Sequence, residues 1–310
     1  MRGPCIRPPA ILGHEVKTML RIKKPVPYLM ISVACILLLV FRVIPLCSSL
    51  LGSIYINGTF TWDTFDKLFF HDTIFWKSMG VTLRLNVVLI PVQMVVSLAL
   101  ALLVNHELKG VGVFRTMFMT PFSISGVVNC LIWGMLLAKN NGVINGLLNT
   151  FGLPSQGFWS DKNQAIWCIV AESTWAGTGY WMIFFLSGLK GIDTSIYESA
   201  DLDGCSSFRR LVSITLPLMK RTVLFVMVAN TTANLLMFTP MKTITNGGPM
   251  GSTNTLMYEA YKSSFQFNKP ARSSAIVTVL LVMIALVCAL QFFLMRDRDE
   301  KPGKKRGAAK

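Results

Sequence analysis

Two apolar runs carry side chains that could hold a ligand. Glu172, Ser173, Thr174, Trp175 and Thr178 fall in one, and Asn230, Thr231, Thr232 and Asn234 in the other. Polar groups inside a membrane are costly, and by default they face a bundle interior or a water-filled path. Carboxylates and amides hydrogen-bond hydroxyl groups, and an indole face packs on C–H surface. Glu172, Trp175, Asn230 and Asn234 are therefore candidates for lining the path of a polyhydroxylated ligand. Ser, Thr and Asn also tie helices together in many bundles, and packing is the alternative reading for each position. Arg84, with Asn86 and Gln93 in the same run, and Arg42 are the groups that could hold an anion instead. Arg42 could equally snorkel to the membrane surface.

Other chemistry finds little support. The three histidines, His14, His71 and His106, stand in tails or loops without partners, and no Ser/His/Asp set falls on one face. The expected catalytic and metal sites are none. Seven cysteines are an odd number, scattered and without a C-x-x-C pair, which argues against both a disulfide framework and a zinc site.

The elements that position the polar groups follow from composition. Of 310 residues, 52% are hydrophobic and 15% charged, and the mean hydropathy is +0.52. That is the profile of a polytopic membrane protein. A hydrocarbon core of about 30 Å needs roughly 20 apolar residues in a helix. Six runs qualify: 28–51, 80–104, 112–137, 164–189, 221–241 and 271–295. The expected fold is an all-α membrane protein with six transmembrane helices, between a tail at 1–27 and a basic tail at 296–310. Thirty Lys and Arg against fifteen Asp and Glu give a net charge of +15. About twenty of the basic residues gather in the two tails and the loops 105–116 and 190–221, against about eight in the alternate loops. That bias places both termini in the cytoplasm, and it disfavours nucleic acid as a partner because no single basic groove collects the charge. Residues 1–24 lack an uninterrupted apolar core and read as a tail, not a cleaved signal.

The loop 190–220 carries YESADLDGCSSFRRLVSITLP. Ser195 and Glu198 have the spacing of a capping box, which predicts a helix starting there. Gly204 can then supply a positive φ for a reversal. Phe208, Leu211 and Val212 give a second helix one apolar stripe, and Pro217 is expected to close it. Glu198, Asp201 and Asp203 would be repelled by an anionic leaflet, so a protein is the better partner for this surface than lipid headgroups.

Glu198-Ser199-Ala200, three residues, Gly204, nine residues, Ile214, one residue and Leu216-Pro217 together resemble the EAA loop of bacterial ATP-binding-cassette (ABC) importer permeases, with Ser199 the one departure. TNGGP at 245–249, FRTMFMTPFSISGVV from Phe114, NGVINGLLNTFGLP from Asn141 and ESTWAGT from Glu172 are similar to the larger permease subunit of maltose-type and glycerol-phosphate-type importers. Val81-Thr82 and Trp175-Ala176-Gly177 depart from that subfamily's usual Asn-Thr and Trp-Lys-Gly. The resemblance covers about 28–295 and implies a type I importer (MetI-like) architecture in a bacterial inner membrane. It implies that Glu198, Ser199, Ala200, Asp203 and Gly204 dock on an ATPase, and that Ile214, Leu216 and Pro217 tie the loop to the fifth span. Its implied partners are a second homologous permease, two ATPase subunits and an external binding protein, besides membrane lipid.

No cofactor is expected in the chain itself, with ATP and Mg held by the ATPase subunits. The absence of any G-x-x-x-x-G-K-[ST] agrees. LSGLK at 186–190 lies at the end of a span and matches an ATPase signature by chance. Gly247, Gly248 and Pro249 are expected to form a tight external turn that receives the binding protein or its ligand. The function the resemblance implies is carriage of a carbohydrate, an oligosaccharide, by alternating access. The alternatives are glycerol phosphate or a related phosphodiester, a secondary transporter, which would need an inverted repeat that the two halves do not show, and a membrane-embedded enzyme.

Overall fold

The computed structural model describes residues 25–56, 58–105 and 110–295. The basic tail 296–310 and nearly all of the tail 1–27 lie outside those residues. Residues up to Leu51 form one unit and the rest another. The first contains α1 (Pro25–Leu38) and most of α2 (Ile44–Gly52), joined by a π turn at Leu39–Val43. Its apolar side chains are exposed nearly throughout.

The second unit opens on a two-residue hairpin, β1 (Tyr55–Ile56) with β2 (Thr59–Phe60), followed by α3 (Asp63–Asp66). Its long helices are α4 (Thr73–Val104), α8 (Ala165–Lys190) and α14 (Pro270–Met295). α4 begins seven residues before the expected 80, because the Asp72 Oδ1 accepts from the Phe75 N–H at 2.9 Å and caps the first turn there. α8 and α14 lie where 164–189 and 271–295 were expected.

Two of the expected spans are broken. The run 112–137 is α5 (Val111–Ser123) and α6 (Gly126–Leu136), bent by 95°, and the short α7 (Val143–Thr150) follows in the connection to α8. The run 221–241 is α12 (Lys220–Leu235), a non-helical stretch at 236–238 and the start of a second short helical turn that runs on through Met241–Thr245, and α12 meets the preceding segment Ser207–Leu218 at 76°. Apolar residues continue through both breaks, so hydropathy alone reads them as unbroken. The Asn129 amide repairs the first break by donating to the Pro121 carbonyl at 3.0 Å. By length and apolarity three helices could cross a membrane among the described residues, or five if each bent pair counts as one. α8 has the length, but its Glu, Ser and Thr side chains keep it out of that count.

α8 is the centre of the packing. Its C-terminal half joins α4 and α12 in a cluster of Ala101, Trp181, Met182, Phe185, Met219 and Val226. Its N-terminal half meets α4 through Leu85, Leu89, Ile169 and Val170. α14 packs on α12 and on α13 (Leu256–Tyr261) through Leu235, Leu256, Ala275, Ile276 and Leu280. Gly179 lets α5 approach α8 closely, since a Cβ there would stand 1.9 Å from the Phe118 carbonyl oxygen. Small residues permit such approach in lipid, where packing replaces the hydrophobic effect as the force between helices.

Candidate functional site

α4, α6, α8 and α12 enclose a cleft of about 800 Å³. Its polar lining comes from Gln93, Asn129, Glu172, Ser173, Thr232, Asn234 and Thr239, and no Lys, Arg or His contributes. Glu172 is 3% exposed and accepts from the Ser173 hydroxyl at 2.8 Å. Asn129 is equally buried, and its Oδ1 has no partner. Tyr180 and Trp181 supply aromatic surface in the same cleft.

Gln93 holds the three helices together. Its Nε2 donates to the Ser173 carbonyl at 2.7 Å, and its Oε1 accepts from Asn230 at 2.9 Å and Asn234 at 2.8 Å. Asn234 also donates to Asn230 Oδ1 at 2.7 Å. Two of these four bonds engage Asn230, one at each end of its amide, and Asn230 is fully buried and does not line the cleft. For Asn230 the packing reading holds, while Asn234 both packs and lines. Trp175 is not on this cleft. It lines a separate groove between α4, α5 and α8 and meets Trp133 edge to face at 6.0 Å. Of the four sequence candidates, Glu172 and Asn234 are brought together. Asn129 and Gln93 complete the lining, and Asn129 was legible as a lone amide inside the apolar run GVVNCLIW.

At the far end of α8, the 190–220 loop builds a second feature. α9 (Thr194–Leu202) is capped by Asp193, whose carboxylate accepts from the Ser195 N–H at 2.9 Å. The Ser195 capping box is thus corrected: Ser195 lies inside the first turn, and its carbonyl accepts from the Ser199 hydroxyl at 2.8 Å. The Ser195 N–H bond holds the Asp193 carboxyl below the ordinary carboxylate range. Gly204 has φ +68°, with Gly204 N–H bonded to the Asp201 carbonyl and Cys205 N–H to the Ala200 carbonyl at 3.0 Å. This is a Schellman closure, and it explains the spacing: the carbonyl of the third turn-residue and the left-handed glycine must stand four positions apart. Ala200 is buried, whereas Glu198, Ser199 and Asp203 are exposed.

α10 (Ser207–Arg210), a π turn at Leu211–Thr215 and α11 (Leu216–Leu218) follow as one helical run. Arg210 pairs with Asp201 and stacks over Tyr197, and the hydroxyls of Tyr197 and Thr215 lie 3.2 Å apart, which fixes α9 to this run. Pro217 does not close the helix. It sits within it, and the wide π turn occupies the residues whose carbonyls a proline ring would otherwise crowd. The bend comes two residues later, at Met219, which is 2% exposed. The expected apolar stripe does not bury itself either: Phe208 and Val212 are exposed, and Ile214 and Leu216 are half-buried.

The loop between α12 and α13 turns at Asn246 and Gly247, both at positive φ, and the Gly248–Pro249 bond is cis. Gly248 N–H donates to the Thr245 carbonyl at 2.9 Å, and the Thr253 hydroxyl donates to the Gly248 carbonyl at 2.7 Å. A Cβ on Gly247 would meet the Tyr258 ring at 3.0 Å. The far side of the loop is clamped to α4: Asn254 donates to the Ser78 hydroxyl, and the Leu256 N–H donates to the Thr82 hydroxyl, both at 2.8 Å. Glu259 is 1% exposed and binds Asn254, Lys262 and Arg272, while Arg272 also binds Asp72. Burial pushes the Glu259 carboxyl up, but bonds from Asn254, Lys262 and Arg272 outweigh it and hold it below the ordinary range.

Residues 93–298 match the family described as binding-protein-dependent transport system inner membrane component. The chain is 32% identical over 281 residues to the lactose transport system permease protein LacF of Rhizobium radiobacter, covering 87% of this chain and 94% of the relative. It is 28% identical over 285 residues to the sn-glycerol-3-phosphate transport system permease protein UgpA of Agrobacterium fabrum, covering 89% and 96%. Its fold is similar to a chain of a bacterial alginate ABC transporter crystallised with an alginate pentasaccharide-bound periplasmic protein. There the TM-score is 0.79 at 21% identity, over 89% of this chain and 96% of that one.

Proposed function

The chain belongs to the family of binding-protein-dependent transport inner membrane components, and we propose that within an ABC importer it is the permease subunit that carries a neutral oligosaccharide. The observation that carries this reading is the composition of the cleft. Amides, hydroxyls, aromatic rings and one carboxylate line it, and no cation is available to hold a phosphate or a uronate. Arg84, the residue through which a phosphorylated cargo could be held, lines a different pocket. Lactose and glycerol phosphate both occur in the names of relatives, and the cleft favours cargo of the first kind.

In this reading the permease has six spans, both termini face the cytoplasm and the membrane is the bacterial inner membrane. The surface of Glu198, Ser199, Ala200, Asp203 and Gly204 docks on one of two ATPase subunits, which bind ATP and Mg. Ile214, Leu216 and Pro217 pass the movement on. A second permease closes the cleft, and the Gly247–Pro249 turn faces the external binding protein. Reconstitution with those partners and a panel of neutral oligosaccharides, sugar phosphates and uronates tests the proposal through stimulated ATP hydrolysis. Neutral sugars are expected to stimulate. Stimulation by phosphorylated ligands alone would overturn the substrate class while leaving the family assignment intact.

A further inference from the structure

Arg84, eleven residues into α4, and Lys162, just before α8, line one pocket of about 280 Å³, with Asn163 beside them and Leu85, Val88, Ile166 and Val170 as its apolar wall. Among the described residues neither cation pairs with a carboxylate. The nearest acid in sequence, Asp161, is turned to the backbone, accepting from the Asn163 N–H at 2.7 Å. Trp167 and Val170 line both this pocket and the groove of about 510 Å³ that contains Trp175, so the two volumes share a wall. Along α4 the shared face reads Arg84, Val88, Val92, Val96 and Leu100, one residue every four. Each step of four turns the position by about 40°, so these residues form a ridge that winds slowly round the helix, and sixteen steps make it about 24 Å long. Met117, Phe118 and Pro121 of α5 form the opposite wall.

A cationic mouth opening on a long apolar channel has the chemistry of one molecule. We propose that this groove binds a diacyl phospholipid with an anionic head. Its phosphate would lie between Arg84 and Lys162, and one acyl chain would run along Val88, Val92 and Val96. Arg and Lys give charge-assisted bonds to phosphate oxygens, and half-exposed Trp167 stands where indoles favour the membrane–water interface. The mouth lies at the end of α4 and α8 opposite the α9 loop, so the lipid belongs to the leaflet remote from that loop. The site is separate from the cleft, and it gives the orphaned cations and Trp175 a common role.

The test uses the full chain with its co-expressed partners in nanodiscs of phosphatidylcholine containing a minor fraction of phosphatidylglycerol, with retained lipid counted by mass spectrometry after detergent exchange. The wild type is expected to retain phosphatidylglycerol above its bulk share. Arg84→Gln with Lys162→Gln should weaken retention about tenfold, the scale of losing charge-assisted bonds. Val96→Trp should weaken it similarly by filling the channel without changing charge. Soluble glycerol phosphate should not displace the lipid. Gel filtration and the phosphatidylglycerol-dependent rise in Tm distinguish loss of the site from loss of fold. Unchanged retention in the charge variant overturns the proposal. So does displacement by glycerol phosphate, which would mean a site for a free anion. Efficient cross-linking of a cysteine at Val96 to a second permease would make the occupant a partner helix and overturn it too.

Discussion

Gln93 is the side chain on which the cleft depends most. It spends its donor on α8 and its acceptor on α12, so Gln93→Leu strands the Asn230 amide and the Ser173 carbonyl in a dry interior. A buried group left without its partner costs about 1–3 kcal/mol. The variant is expected to lose about 2 kcal/mol of stability, read as a fall in thermal midpoint in fixed detergent, whereas Glu172→Gln should keep its midpoint and change transport. Asn230 and Asn234 were recognisable from sequence as polar residues sharing a helix face. Which of them packs and which lines was not, because the deciding partner stands 137 residues from Asn230. Glu259 gives a second test. Its carboxyl lies lower in the folded protein than in the unfolded chain, so its contribution is complete above the ordinary value of about 4.3 and fades as pH falls through the lower folded one. Hydrogen exchange in 245–260 should therefore accelerate as pH drops below that ordinary value, after correction for the intrinsic rate. Glu259→Gln should flatten the response, and an equally steep response in that variant would remove Glu259 as its cause.

At the level of elements, the α9 turn is the most legible feature of the chain and the broken helices the least. The turn is local: a left-handed glycine and a carbonyl four residues earlier need only spacing, and spacing is written in sequence. A Cβ on Gly204 would meet nothing within 4 Å, so substitution there costs backbone strain alone, about 1–2 kcal/mol for a residue other than Gly or Asn. Gly204→Asn should then bind the ATPase nearly as the wild type does, Gly204→Ala less well and Gly204→Val least. A pull-down in detergent that ranks all three equal would detach the turn from docking. The helix start was read two residues late because Asp193 and Ser195 both precede an apolar run, and only geometry shows which side chain reaches a free N–H. The breaks in α5–α6 and before α12 escape hydropathy because lipid and protein interior ask for the same side chains. Only Pro121 and Pro217 mark those regions, and each stands two to four residues from the bend itself.

For the whole molecule, charge placement predicts an orientation that labelling can test. Single cysteines at Ser155 and Lys269, both exposed, should react with an impermeant thiol reagent added outside intact cells, in a background freed of native cysteines. One at Ser206 should react only after permeabilisation. Reversed labelling would place α9 outside and remove its access to ATP-driven partners. The helical segments outnumber the apolar runs because two runs are bent and because short helices such as α3, α9 and α13 form in the connections between runs. α8 is the most central helix, and its Glu, Ser and Thr side chains make it less apolar than α4 or α14.

The corner at Met219 has a mechanical meaning. The segment before it, Ser207–Leu218, is about 18 Å long, and the stretch from Lys220 to Asn234 is about 22 Å, at 1.5 Å per residue. The two arms meet at 76°, with the corner wedged in the core beneath α4 and α8. Asp201, Tyr197 and Arg210 bolt the loop to the first arm. An L-shaped piece held at its corner has the geometry of a bell crank: a push on one arm would swing the other. With arms in this ratio a rotation about Met219 would move Asn234 slightly farther than the loop, and it would draw the amide away from Gln93, 2.8 Å off in this state.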